Sequence, residues 1–430
     1  MTGPPFPPRQ DAALPAEVSP AELEQPEPKP LLRLSEPLPP ITDTGPALDV
    51  VVATVAAGTG PVALDAERAS GYRYSQRAYL VQLRRTGTGI ALVDPIACTD
   101  LRPLDEAIGD AEWILHAASQ DLPCLAEVGM RPRRLFDTEL AGRLLNLPRV
   151  GLASLVEELL GRSLAKEHSA VDWSTRPLPE PWLEYAALDV EPLAELRDVL
   201  AQRLEAAGKL GWAREEFEAL LSFTGPEPRV EQWRRTSGLH TVRGRRALGI
   251  ARALWERRDE IAAQRDVAPG RVLADAAIVD LATSPPSSRA ALRGSRPMRG
   301  RGARRHLEDW LDALQLAQSL PQEELPSAKP PQLGPPPPRA WAERNPAAAA
   351  RLAACREVVT ALAELHDLPV ENLLNPSLLR ALAWEPPAGA IDATGVAGVD
   401  AVAAYLRSGG ARPWQVRLTA GPLARAVSGG

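Results

Sequence analysis

Cysteine is scarce in this chain. Cys98, Cys124 and Cys355 are scattered over 430 positions, with no CxxC spacing. The odd count argues against a disulfide framework, the spacing argues against a structural zinc, and both fit a reducing compartment. Long apolar runs are missing too, so no segment is expected to span a bilayer. The N-terminus, MTGPPFPPRQ, lacks a basic stretch followed by an apolar one, so no secretory signal is expected. Nor is there a large excess of one charge: a formal net charge of −6 names no partner. The expectation is a cytoplasmic protein of two to four domains, long enough to bury a real core.

Proline, by contrast, is abundant, and it punctuates the chain. Residues 1–48 are dominated by Pro, Glu and Ala, which predicts a disordered arm. "LPQEELPSAKPPQLGPPPPRA" predicts a stiff linker over 318–338, and "FTGPEPRV" a softer break ending near 230. The expected units are therefore 49–205, a connecting helix and linker over 206–230, and helical units at 231–317 and 339–430.

In the first unit "PVALDAER", "AYLVQLRR" and "GIALVDP" read as successive strands. "AEWILHAA" reads as a fourth, and Leu135–Phe136 begins a fifth. Helices follow in "QDLPCLAEVG", "GLASLVEELLG" and the long stretch 180–207, with a break near Pro192. Strands in a meander that then alternate with helices predict an α/β fold, a mixed sheet flanked by helices.

Three places in this unit spend acids where apolar residues are expected. Asp65 and Glu67 lie two apart on a strand, so they share a face, and their repulsion calls for a cation. Asp121 directly follows a strand and opens a helix, where layered α/β folds gather ligands. Tyr185 and Asp189 lie four apart on a helix and share its inner face. Singly, each has a plainer reading: a solvated strand face, a helix cap at Asp121, a half-buried tyrosine beside a surface acid. Together, four carboxylates and a phenol suit one task. Hard divalent cations want oxygen ligands, and a pair of ions about 4 Å apart can clamp an in-line phosphoryl displacement. The phenol can hold the attacking water.

"LDAER", "LHAASQDL" and "EYAALDV" resemble the three exonuclease motifs of the DEDD superfamily, in its tyrosine-bearing branch. The run from "LFDTELAGRLL" to "EYAALDV" is similar to the ribonuclease D family in particular. The resemblance covers residues 60–205 and implies a ribonuclease H-like sheet. It implies a metal-dependent 3′–5′ exoribonuclease that releases nucleoside 5′-monophosphates, trimming tRNA precursors and other structured RNA 3′ ends. It also implies two divalent ions, Mg²⁺ or Mn²⁺. Asp65, Glu67 and Asp189 would hold one, with Asp65 also touching the second; Asp121 would hold that second ion through water, and Tyr185 would orient the nucleophile.

Other residues read more plainly. His116 is expected to be a satisfied core or edge histidine, and Asp137 the cap of a helix starting near Thr138. Lys166, Trp173 and Arg176 are candidates to contact phosphates or stack on the last base, with core packing the competing reading for Trp173.

The C-terminal units carry helical periodicity only. "ALWERRDEIAAQRDVAPGRVLADAAIVDLA" resembles the helicase-and-RNase-D C-terminal (HRDC) domain, and "LHDLPVENLLNPSLLRALAW" resembles it more faintly. Arg293, Arg296, Arg299, Arg301, Arg304 and Arg305 form a run without acids, which suits phosphate contacts. Substrate binding is therefore expected at Arg296, Arg299 and Arg301. The chain is expected to act as a monomer on RNA, without a membrane. A DNA exonuclease and a non-catalytic RNA-binding module are the other readings.

Overall fold

Alternation along one strand organises the first unit. In this computed structural model, which describes residues 29–165, 170–227, 229–331, 334–390 and 396–429, six strands form one sheet. They are β1 (Ile41–Thr42), β2 (Thr59–Arg68), β3 (Ala78–Thr86), β4 (Gly89–Val93), β5 (Glu112–Leu115) and β6 (Arg134–Asp137), in the order β1-β4-β3-β2-β5-β6. β2, β3 and β4 are antiparallel, turned between β3 and β4 by Gly87 and Gly89 at φ +86° and +71°. β1, β5 and β6 join in parallel, so the sheet is mixed as expected.

On β2 the even-numbered Val62, Leu64 and Ala66 enter the main core. The odd-numbered Ala63 packs on the other face with Ile114, Val190 and Leu193. A period of two therefore sends Asp65 and Glu67 to that second face.

The helices of this unit are α1 (Gly45–Ala56), α2 (Arg102–Ile108), α3 (Leu122–Glu127), α4 (Thr138–Leu144), α5 (Leu152–Leu155), α6 (Glu180–Val190), α7 (Leu193–Ala206) and α8 (Leu210–Leu220). α6 lies across β2 and β3, and the expected break at Pro192 separates it from α7.

The expectation of a disordered arm reaching residue 48 fails over residues 29–48; residues 1–28 lie outside the described residues. β1 pairs with β4, Leu32 is buried, and its N–H donates to the Ser163 carbonyl at 2.8 Å. α1 opens at Thr44, whose hydroxyl accepts from Ala47 N, with Pro46 in the first turn where no backbone donor is needed. Apolar residues between the prolines find the sheet edge, and that burial outweighs the prolines' resistance to regular structure.

The helices that follow are α9 (Arg245–Arg265), α10 (Pro269–Val272), α11 (Asp275–Thr283), α12 (Arg289–Gly294), α13 (Arg301–Arg305) and α14 (Leu307–Ser319). Then come α15 (Trp341–Arg344), α16 (Pro346–Leu365), α17 (Val370–Leu373), α18 (Pro376–Trp384), α19 (Val396–Ser408) and α20 (Pro413–Ser428). The two sets share a local plan. α9 starts at 245 and α16 at 346, α10 at 269 and α17 at 370, α11 at 275 and α18 at 376, a constant offset of 101 residues. Asp266 and Asp367, at the same offset, both follow the long helix in a left-handed conformation, φ +47° and +49°.

Both aspartates also reach the exonuclease-like unit. Asp266 accepts from Ser75 N at 2.8 Å, from the Tyr79 hydroxyl at 3.3 Å and from Arg77 at 3.4 Å. Asp367 accepts from Asn146 Nδ2 at 2.7 Å, and its carbonyl accepts from the buried Lys209 Nζ, also at 2.7 Å.

Candidate active site

The sheet face that carries Asp65 and Glu67 opens into a cleft of about 400 Å³. Its walls include both acids together with Arg68, Ser70, His116, Gln120, Asp121, Ala170, Val171, Tyr185 and Asp189. The five residues read from the motifs thus share one cavity, although they come from β2, the start of α3 and α6. One carboxylate oxygen each from Asp65, Glu67 and Asp189 lies within 4.8 Å of the others.

Asp65 stands opposite Gln82 across the β2–β3 ladder, and Gln82 Nε2 donates to its Oδ2 at 2.6 Å. The amide holds the carboxylate in one orientation. Asp121 sits at the N-terminus of α3 but makes no capping bond there. The plain helix-cap reading therefore fails: the side chain, 4% exposed, turns into the cleft, where Arg68 Nη2 stands 3.9 Å from Oδ1. Tyr185 and Asp189, one helical turn apart, share a hydrogen bond.

The turn that delivers Asp121 is held from below. Ala117, at the end of β5, adopts φ +56°, a strained position for a residue with a Cβ. Asp137 fixes it by accepting from Ala117 N at 3.2 Å and Ala118 N at 2.8 Å. The same carboxylate caps α4, accepting from Glu139 N at 2.8 Å and Leu140 N at 3.1 Å. Its expected capping role is thus only half of what it does. His116 Nδ1 lies 2.9 Å from the Thr138 hydroxyl, and burial pulls its pKa down to about 4. A neutral, partnered ring matches its expected structural role.

Electrostatically the cluster is uncomfortable. Burial pushes Asp65 up to about 6, against the Ala66 N–H, Arg68 and Gln82, which pull it down. Glu67 rises well above the usual carboxylate range through burial first, then the charges of Asp65, Asp189 and Asp121. Asp121 and Asp189 rise by burial and then by the charge of Asp65. Burial and the neighbouring carboxylates also raise the Tyr185 phenol, which therefore stays protonated. One buried and three half-buried acids faced by one arginine call for more positive charge. An all-oxygen donor set of this kind fits a hard divalent cation.

Three expected substrate contacts need correction or lie out of view. Trp173 is fully buried, edge-on to Trp182 at 5.7 Å and packed near Tyr185, so it is core. Arg176, though exposed, is committed to protein acceptors: Nε and Nη2 clamp Asp94 at 2.6 and 2.8 Å, and further bonds run to the carbonyls of Tyr79, Trp173 and Thr175. No donor face is left for a phosphate. Lys166 lies outside the described residues. Arg296, Arg299 and Arg301 are exposed on the first helical unit, away from the cleft lining.

Arg68 is the cleft residue that sequence reasoning missed. Strict alternation would turn it away from Glu67's face, but the β2–β3 register shifts between Glu67 and Arg68. Such an irregularity re-aims a side chain and leaves little trace in the sequence.

Comparison with known proteins agrees with this geometry. Residues 41–205 match the 3′–5′ exonuclease family, 247–314 the HRDC domain, and 334–427 the 3′ to 5′ exonuclease C-terminal domain. The curated ribonuclease D of Gluconacetobacter diazotrophicus is 32% identical over 332 residues, which cover 76% of this chain and 81% of that protein. The chain belongs to the ribonuclease D family. Members are 3′–5′ exoribonucleases. Among solved structures, the ribonuclease D-like fold extends over nearly the whole chain. A protein from Bifidobacterium adolescentis superposes with TM-score 0.83 at 39% identity, covering 93% of this chain and 100% of that one. Escherichia coli RNase D, described as an exoribonuclease involved in structured RNA processing, gives TM-score 0.64 at 27% identity, covering 91% and 98%.

Proposed function

We propose that this chain shortens RNA from the 3′ end one nucleotide at a time, releasing 5′-monophosphates, with Asp65, Glu67, Asp121, Tyr185 and Asp189 as its working residues. The observation that carries the assignment is the convergence of three carboxylate oxygens within 4.8 Å beside Asp121 and a phenol. Asp65, Glu67 and Asp189 would hold one divalent ion, and Asp65 with Asp121 a second, Mg²⁺ or Mn²⁺ in either place. When bound, such a pair supplies Lewis acidity at the scissile phosphate and lowers the pKa of the attacking water.

The chain's own residues do the rest. Gln82 fixes Asp65, and the turn braced by Asp137 aims Asp121. Tyr185 keeps its proton, so its hydroxyl can orient a water molecule against the terminal phosphodiester while bonded to Asp189. Arg68 offers a cation from the cleft wall for charge that develops on the leaving side.

Kinship with an RNase D that processes structured RNA favours tRNA precursors and similar 3′ ends as substrates. Three unpaired, buried cysteines suit the cytosol, where the enzyme would work as a monomer. No helix among the described residues is long and apolar enough to cross a membrane.

The test is digestion of 5′-labelled RNA and matched DNA with Mg²⁺, with Mn²⁺ and with EDTA, alongside Asp189→Asn. The expected result is a metal-dependent ladder that shortens from the 3′ end, runs faster on RNA and vanishes in the variant. Binding of RNA without cleavage under either metal would leave only a binding module. Tyr185→Phe is expected to lower kcat by about 10²-fold, and Asp65→Asn by more, since Asp65 would serve both ions. Sedimentation velocity reads the oligomeric state.

A further inference from the structure

One end of the cleft is walled by Ser70, and the chain leaves it directly into the joint with the first helical unit. Gly71, the next residue, accepts from Arg271 Nε of α10 at 2.9 Å. The Arg271 guanidinium lies 4.2 Å over the ring of Tyr72. Tyr72 in turn accepts at its carbonyl from Ala268 N and points its hydroxyl at the carbonyl of Ala170, another cleft residue. Tyr74 donates to Asp259 at 2.9 Å, and Asp266 gathers Ser75, Arg77 and Tyr79. The joint is therefore built and fixed in register, rather than a loose contact.

Behind Arg271 stands the arginine run. Gly302 of α13 packs so closely on the Arg271 carbonyl that a Cβ there would collide with it. Arg301 on one side of that glycine and Arg305 beyond it are exposed, as are Arg293, Arg296 and Arg299. The terminal nitrogens of Arg271 have no partner among the described residues, although its Nε is taken. Positive charge thus begins at Arg271, which bonds Gly71 one residue from the cleft lining, and the helix that carries Arg301 and Arg305 packs against it through Gly302.

We propose that this joint is the track for the RNA strand that lies 5′ of the two terminal nucleotides, which the cleft itself holds. Arg271, held over the Tyr72 ring, offers its open face to a base and its free nitrogens to a phosphate, and Arg301 and Arg305 take the phosphates that follow. Base stacking on a guanidinium and backbone neutralisation are both tolerant of sequence, as a general trimming enzyme requires. The assignment rests on the exoribonuclease reading and adds where the body of the substrate lies.

The test pairs two substrates and one binding measurement on the full chain. A dinucleotide ends inside the cleft, whereas an RNA of about 20 nucleotides must cross the joint. In Arg271→Ala, the KM for the long RNA is expected to rise about tenfold with kcat unchanged, while turnover of the dinucleotide stays within about twofold. Arg271→Lys keeps charge without the planar face and is expected to fall between the two. The salt dependence of long-RNA affinity, read by fluorescence anisotropy in EDTA, is expected to lose a slope of about one in Arg271→Ala. Equal losses on both substrates would overturn the proposal, since the arginine would then only hold the loop. Unchanged affinity and KM for the long RNA would overturn it as well. If the parent cuts neither substrate, the exoribonuclease reading has failed, and the anisotropy comparison still decides whether RNA crosses this surface.

Discussion

At the scale of single residues, the cleft is a place where acids are held against their electrostatic preference. A carboxyl whose folded pKa is about 6, against an ordinary value near 4, binds more protons folded than unfolded across that window. Stability then falls as pH rises through it, because deprotonation is resisted only in the folded state. The metal-free protein is therefore expected to melt at a higher temperature at pH 4.5–5 than at pH 7. Calorimetric scans in EDTA across that range check the sign. Adding Mg²⁺ or Mn²⁺ at pH 7 is expected to raise the melting temperature and to release protons, seen as a buffer-dependent heat of binding. A stability curve that rises steadily from pH 5 to 7 without metal would contradict the burial and repulsion assigned to Asp65, Glu67 and Asp189.

At the scale of elements, what was legible in the sequence is what repeats with a period. The alternation on β2 that put Asp65 and Glu67 on one face survives intact, as does the four-residue step from Tyr185 to Asp189. What could not be read depends on partners distant in the chain. Arg176 looks like a substrate contact in its own loop because Asp94, its counter-ion, is 82 residues away. Trp173 looks equally exposed until Trp182 and α6 cover it. β1 has two residues and offers no pattern to detect, and α1 begins among prolines that argue the other way. Asp137 shows how an element's end can serve a site. Asp137→Ala removes one helix cap and two bonds to the strained 117–118 turn. A loss of about 2–4 kcal/mol is expected in denaturant unfolding, from one cap and two buried donors left unpaired. Activity is expected to fall further than Asp137→Asn would cause, because Asp121 loses its aim; chemical denaturation and kcat measured side by side separate the two effects.

At the scale of the whole molecule, the two helical units grip the exonuclease unit at different places. The first holds the segment from Ser75 to Tyr79 through Asp266; the second holds α4 and α8 through Lys209, whose buried ammonium bridges the carbonyls of Leu144 and Asp367. Lys209→Ala leaves both carbonyls without their donor and is expected to cost about 1–3 kcal/mol. Its effect should appear as a lower unfolding midpoint with kcat on short substrates unchanged, which a thermal melt beside an initial-rate assay would show. A matching loss of kcat would mean that the second unit shapes the cleft after all.

The constant offset of 101 residues between the two helical sets has a historical implication. A left-handed aspartate at the same turn, reaching the exonuclease unit both times, is what a duplicated helical unit would leave behind. The copies have since diverged in charge: seven arginines lie between 289 and 305, yet neither arginine nor lysine occurs between 381 and 406. The first set combines the grip with a basic run, and the second has the grip alone.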